Sequence, residues 1–559
     1  MKHHPPRKIA RSDVLAGVSV ALILIPQSMA YAELAGLPPH HGLYAATFPL
    51  IAAAFLASSP YLQTGPVALT GLLTFGALVP MAPLGTAEYA ALAALLALVV
   101  GVFRILVGFL KAGWVVYLMS HSMMTGFLSA AAILILCSQL PGALGSPAPV
   151  DEGVLQRAWF AVTNPDTWNW AAVGLSVFTV ATVTGAASIH PLVPGVLIAA
   201  GFGLIFSAVT GYDGATVGSV PSGLPPFTLD LPWSSLPSLL LPGLVISVIG
   251  FAEGVSISRV FASEERQHWD ADKEFISKGL ANVVAGFSGG LPVGGSLSRT
   301  SVNRMAGARS RWSGLITGVT VLCFLPVAPV MSALPRAVLS GIVIAAIYKV
   351  VQPKQVLQLW TLSRPQALIG WTTFVATLTL SPNIDQAVLI GIALSAGVHL
   401  WRELTPRVTA VREGDTLIVE PSGVLWFASA PAMEDLLFER LADEPDVDKV
   451  VVRCTGLGRI DLTGAYVFHE TIQHAERAGL EMTVEDVPDH AVALLRSVGV
   501  PMVGRDEWKP MAATAGVEGG WEAVPDFGGE KENAPDAVGA RRGDDDGAGG
   551  EEDDETERD

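Results

Sequence analysis

The chain has 559 residues, of which 51% are hydrophobic and only 15% charged, and its mean hydropathy is +0.48. That balance excludes a soluble multidomain enzyme and puts most of the chain in lipid. The formal charge of -17 does not reverse this, because the excess acid lies after about Thr405 and the part before it is slightly basic.

Residues 1–12 form a basic N-terminus, expected in the cytoplasm. Lys2, Arg7, Lys8 and Arg11 precede an apolar run that ends in Ala30-Tyr31-Ala32, as a secretory signal would. A dozen further apolar runs follow, so the segment reads as an uncleaved first span. Runs able to cross or half-cross a bilayer, at roughly 20 residues per full span, begin near Val14, Leu43, Val67, Tyr89, Val115, Trp170 and Leu192. After the polar stretch from Gly211 to Trp233 they resume near Leu236, Phe275, Ser298, Gly314, Ala337, Ala367 and Ala387. Seven runs on each side of the stretch predict an internal repeat, about 13–210 and 235–402, within a membrane domain over 13–405.

Lys and Arg test the count, since they accumulate in short cytoplasmic loops. With fourteen spans, Arg104 with Lys111, the group from Arg259 to Lys278, the group from Arg304 to Arg311, and Lys349, Lys354 and Arg364 all fall on the side of the basic N-terminus. Both termini are then cytoplasmic, in a multi-pass protein of a bacterial-type inner (plasma) membrane.

The third run, Gln63 to Gly71, and the tenth, Pro292 to Thr300, are short, interrupted by Gly or Pro and rich in hydroxyl residues. Broken helices expose backbone N–H groups that lipid cannot satisfy, so they are tolerated only around a cavity or a polar ligand. Two such N-termini in matching places of the two halves predict an anion site at the midplane. Glu253 lies in the middle of the eighth span, where an ionised carboxylate needs a partner or a proton. Arg299 and a co-transported cation are the available partners. A proton is favoured, and sodium stays open, with Ser256 and Thr300 as candidate ligands. Glu33 sits near the far end of the first span, and His121 is expected to pack within the fifth.

From Asp415 the pattern changes to short strands and amphipathic helices. Thr416–Glu420 and Val450–Val452 read as strands, and Ala432–Ala442, Gly464–Arg477 and Ala491–Ser497 as helices. This α/β domain is assigned to 406–510. The remainder, 511–559, is acidic and Gly-rich and is expected to be disordered. Cys137, Cys323 and Cys454 show no metal-binding spacing, so neither metal nor cofactor is expected, and no nucleophile-base pair calls for an enzyme.

Ile25-Pro26-Gln27-Ser28-Met29-Ala30-Tyr31-Ala32-Glu33, Gly65-Pro66-Val67-Ala68, Gly279-Leu280-Ala281-Asn282 and Gly295-Ser296-Leu297-Ser298-Arg299-Thr300-Ser301-Val302-Asn303 resemble the signatures of the sulfate permease (SulP) family of anion transporters. Arg459-Ile460-Asp461-Leu462-Thr463-Gly464 similarly resembles the STAS domain that its members carry. The resemblance implies a polytopic all-α membrane protein with 14 transmembrane segments as two inverted seven-span repeats, forming core and gate domains, followed by a small cytoplasmic α/β STAS domain. It implies a small inorganic or organic anion held by Gln27 and Tyr31, the Val67 and Ala68 N–H groups, Ser296, Ser298 and Arg299, with Glu253 coupling to a proton or sodium. It also implies a homodimer in the lipid bilayer, and no nucleic-acid partner is expected. A sodium-coupled bicarbonate-type symporter, an anion exchanger, a purine-type permease and a membrane-anchored sensor are the competing readings. Leu462 stands where soluble STAS relatives carry a phosphorylated serine, which argues against that switch here.

Overall fold

The computed structural model describes residues 9–149 and 152–503. The tail expected over 511–559 and most of the N-terminus lie outside the described residues.

The first half comprises α1 (Arg11–Leu34), α2 (His40–Ala45), α3 (Phe48–Leu56), β1 (Thr64–Gly65), α4 (Ala68–Leu78), α5 (Ala87–Phe109), α6 (His121–Leu144), α7 (Val154–Thr163), α8 (Trp170–Ile189) and α9 (Gly195–Thr210). The second comprises α10 (Leu236–Glu264), α11 (Ala271–Phe287), β2 (Gly294–Gly295), α12 (Leu297–Met305), α13 (Trp312–Phe324), α14 (Arg336–Ile347), α15 (Pro353–Leu362), α16 (Arg364–Thr379) and α17 (Ile384–Glu403). Seven helices, α1, α5, α6, α8, α10, α13 with its 3-10 extension, and α17, are long and apolar enough to cross a membrane unaided. The pair α2–α3, the broken elements β1–α4 and β2–α12, and the shorter α9, α11, α14 and α16 make the other crossings, completing the fourteen expected. Helices dominate because a bilayer offers the backbone no other hydrogen-bond partner.

Corresponding elements recur in the two halves. The third crossing of each is an extended pair of residues leading into a short helix, and an amphipathic helix, α7 or α15, follows each fifth crossing. The odd number of crossings per half puts α7 and α15 on opposite faces, as an inverted repeat requires. His121, expected inside the fifth span, is instead the exposed first residue of α6, which Ser120 caps by accepting the Met123 N–H.

The crossings sort into two bodies. The core packs α5 against α10 and α11, and α3 and α1 against α13, while the gate packs α6 against α14 and α16, and α8 against α9 and α14. Small residues set both contacts. A Cβ on Gly101 of α5 would lie 2.6 Å from the Val283 nitrogen of α11, and one on Gly126 of α6 would lie 2.0 Å from the Gly370 carbonyl oxygen of α16.

The last domain holds β3 (Arg407–Glu413), β4 (Thr416–Leu425), α18 (Ala430–Ala442), β5 (Lys449–Arg453), β6 (Leu457–Ile460), α19 (Leu462–Arg477), β7 (Glu481–Glu485) and α20 (Asp489–Ser497). Its sheet runs β3-β4-β5-β7, with β6 paired to the end of β4. β3 is antiparallel to β4, and the other pairings are parallel. The expected strands and helices fall within β4, β5, α18, α19 and α20. β3, β6 and β7 escape the sequence reading because each carries charged residues within the strand, which break the apolar pattern.

Gly126→Val will overpack the α6–α16 crossing, at a cost of about 1–3 kcal/mol, and lower the melting temperature in detergent. Gly174→Val, on a helix face with no atom within 4 Å of the added Cβ, will leave it unchanged.

Candidate functional site

The two broken crossings meet. β1 and β2 pair antiparallel, Thr64 opposite Gly295 and Gly65 opposite Gly294, and the Ser296 N–H donates to the Gln63 carbonyl at 3.0 Å. Thr300 fastens the junction from below, accepting the Gln63 N–H at 3.0 Å and donating to the Ser296 carbonyl at 2.6 Å. The ladder needs glycine. Gly65 has φ +149°, and a Cβ on Gly295 would lie 3.0 Å from the Gly254 Cα of α10, so the ladder lies against the backbone of that helix.

Two helices leave this ladder in opposite directions. Val67 is the extended cap of α4, and the first intrahelical bond there is made by the Gly71 N–H to the Val67 carbonyl. The N–H groups before Gly71 have no partner within the helix. Ser296 caps α12, its Oγ accepting the Arg299 N–H at 3.4 Å, and the Glu253 carboxylate lies near the Leu297 N–H at the same end of α12. The positive ends of both helix dipoles therefore converge at one depth.

Arg299 lies across this junction and is 1% exposed. Its Nη2 donates to the Pro66 carbonyl at 2.9 Å and its Nη1 to Gln27 Oε1 at 3.1 Å, while Gln27 Nε2 donates to Tyr31 Oη at 2.9 Å. The Arg299 Nε is buried without a partner. Glu253 and Arg299 lie within electrostatic reach, but among the described residues they form no direct ion pair. An uncommitted donor on a buried guanidinium is the feature an anion would satisfy.

Seven of the eight residues singled out in the sequence gather here with their polar groups buried or half-buried, and Ser298 is the exposed one. Its Oγ lies 3.4 Å from that of Ser296. Ser256 and Leu297 are exposed on the same side, so solvent reaches the junction past these three residues.

The sequence reading misplaces two cations. Arg104, assigned to a loop, is 0% exposed inside α5 and donates to the carbonyls of Val293 at 2.7 Å, Ser247 at 3.2 Å and Ile246 at 3.2 Å. Lys278, assigned to the same basic side, is buried in α11, 3.1 Å from Glu274 and 2.5 Å from Thr64 Oγ1. Glu274 in turn accepts the Ser58 and Ser59 N–H groups, and Asn282 bonds both backbone groups of Val293. These residues hold β1 and β2 in register. The four-residue spacing of Glu274 and Lys278 was the available signal.

The profile described as "Sulfate permease family" matches residues 11–377, and that described as "STAS domain" matches residues 407–503. A probable sulfate transporter of Mycobacterium tuberculosis is 34% identical over 394 residues, covering 70% of each chain. The murine Solute Carrier 26 family member A9 anion transporter, solved in an inward-facing state, superposes with a TM-score of 0.81 at 20% identity, covering 89% of this chain and 88% of that one. The transmembrane domain of the cyanobacterial bicarbonate transporter BicA superposes with a TM-score of 0.58 at 26% identity, covering 70% of this chain and 99% of that one. With most of its membrane part matched and its sheet domain matched separately, the chain belongs to the sulfate permease family and is an anion transporter with a STAS domain, not an enzyme.

Proposed function

We propose that the protein is a secondary active transporter that moves sulfate together with a proton by alternating access, the anion lying between the N-termini of α4 and α12. The observation that carries this reading is the convergence of two helix N-termini on a buried guanidinium with an unpartnered N–H. Backbone donors, the Ser296 and Ser298 hydroxyls and Arg299 together offer an oxyanion several hydrogen bonds and a positive potential. The probable sulfate transporter of M. tuberculosis supports the choice of anion.

Charge balance supports the proton. Around the ladder, with Asp13 set apart in the first turn of α1 where Ser310 bonds it, the cations Arg104, Lys278 and Arg299 face the carboxylates Glu253 and Glu274, an excess of one positive charge. A sulfate dianion leaves that interior one charge negative, and a proton on Glu253 restores neutrality before the core moves through low dielectric. A monovalent anion such as bicarbonate balances the interior with Glu253 ionised. Sodium is less well served, because the Thr300 hydroxyl is committed to Gln63 and Ser296, and the Ser256 hydroxyl donates to its own helix at Ala252. The basic face, with the STAS domain beyond α17, is the cytoplasmic one by the distribution of Lys and Arg.

The STAS domain exposes Phe427, Leu462 and Tyr466 at 61%, 55% and 52%. The Phe427 N–H binds Asp461, and Tyr466 follows Leu462 by one helical turn, so the three form one apolar patch beside the position where a phosphoserine would stand. Assembly with a second copy through this patch is the role that fits it.

In proteoliposomes with an imposed pH gradient, Glu253→Gln will stop uphill sulfate accumulation while sulfate counterflow continues. Accumulation that still follows the pH gradient in this variant would refute proton coupling at Glu253. Arg299→Lys removes the planar fork that bonds Gln27 and Pro66 and should raise the KM for sulfate at least about tenfold, about 1.4 kcal/mol. An unchanged KM would remove Arg299 from the site.

A further inference from the structure

A second cavity, separate from the midplane junction, opens on the face that carries few cations. It has a volume of about 820 Å³ and lies between core and gate, with Glu33 and His40 on the core side and Arg157, Ser219 and Arg336 on the gate side. Glu33 follows Tyr31 by two residues in α1, a rise of about 3 Å along the helix, so one helix carries residues of both the cavity and the junction.

The charges here are not placed as the rest of this face would predict. Among the described residues the face carries acidic Glu33, Glu88, Glu152, Asp166, Asp213, Asp230 and Asp385, but only two basic residues, Arg157 and Arg336. Both basic residues line this cavity, and of those acids only Glu33 does so. Arg157 comes from the amphipathic helix α7. Its Nε is buried without a hydrogen-bond partner, and no carboxylate among the described residues pairs with it.

Arg336 is held differently. It occupies the first turn of α14, where the helix dipole disfavours a cation, and its Nε lies 3.3 Å from Glu33 of α1 and donates to the Thr216 carbonyl at 3.1 Å. Its backbone N–H also bonds the Ala215 carbonyl. The strap from Gly211 is thereby tied to the gate, and the Glu33 contact joins gate to core. An ion pair half exposed to water contributes little stability, about 0–1 kcal/mol, so an incoming anion can exchange with the Glu33 carboxylate at little cost.

We propose that this cavity is an outer recruitment site for a small oxyanion. Arg157 draws the anion from solution, and Arg336 is a second anchor that the anion takes over from Glu33, releasing the tie between core and gate as the outer route opens. The inference rests on the chain being an anion transporter but not on which anion or which coupling ion it uses.

The test accordingly reads the accessibility of a thiol in the cavity and not transport. In full-length protein with the native cysteines replaced, Ser219→Cys places a thiol in the exposed cavity wall. Its rate of modification from the outer side is compared for a sulfonate-bearing methanethiosulfonate and its trimethylammonium-bearing counterpart. The sulfonate reagent should react several-fold faster relative to its rate with a free thiol, and Arg157→Gln should abolish that preference. Sulfate added outside should slow the sulfonate reagent in the parent and not in Arg157→Gln. Equal preference with and without Arg157, or no protection by sulfate in the parent, would overturn the proposal. Sulfate flux is measured in parallel. Charge selectivity at the cavity without sulfate flux would reject sulfate as the cargo and leave the recruitment site standing.

In that flux assay Glu33→Gln, which frees Arg336, should change the rate of exchange with the KM for inner sulfate unaltered. A variant indistinguishable from the parent would rule out the tie between Glu33 and Arg336 as part of the cycle.

Discussion

A backbone that interrupts its helix inside a bilayer must find its hydrogen bonds within the protein. Here the two interruptions answer each other, Thr64–Gly65 pairing with Gly294–Gly295 so that each break completes the other. The pairing demands a side-chain-free surface, because α10 passes close by at Gly250 and Gly254. What the ladder leaves unpaired are the leading N–H groups of α4 and α12. The proposed anion site is thus a consequence of how the breaks are repaired.

The buried charges divide by what they leave unsatisfied. Arg104 uses three carbonyls, Lys278 has Glu274 and Thr64, and Glu274 closes on two loop N–H groups. Every buried cation donor in this set has a partner without a ligand, which suits residues that hold the ladder in place. Arg299 alone among the three cations keeps a buried donor uncommitted, and Glu253 lies at a helix N-terminus that an anion would also seek. Competition of carboxylate and substrate for the same end of α12 gives a physical reason for linking proton uptake at one to occupancy of the other.

Core and gate are each knit by close helix crossings at glycine, whereas the link between them at Glu33–Arg336 is a partly hydrated ion pair. Stiff bodies joined by weak, exchangeable contacts are suited to rocking as units. The STAS domain has its own hydrophobic core around Val419, Val450, Val452 and Phe468, separate from that of the membrane domain.

Much of this was legible in the sequence because lipid imposes one-dimensional rules. Hydrophobic run length located the crossings, the Gly- and Pro-broken runs located the two half-helices, and the motif around Arg299 identified the family. The sequence also placed Gln27, Tyr31, Ser296 and Glu253 in one vicinity by resemblance. Position along the chain could not tell Arg104 and Lys278 from loop cations, since charge counting registers a residue's neighbours in sequence and not the carbonyls or carboxylate that surround it after folding. Nor could it pair Glu33 with Arg336, which lie in different repeats and meet across the boundary between core and gate. Which donors remain free at Arg299 and Arg157 was decided by tertiary packing alone, because a hydrogen bond left unmade is defined only by everything around it.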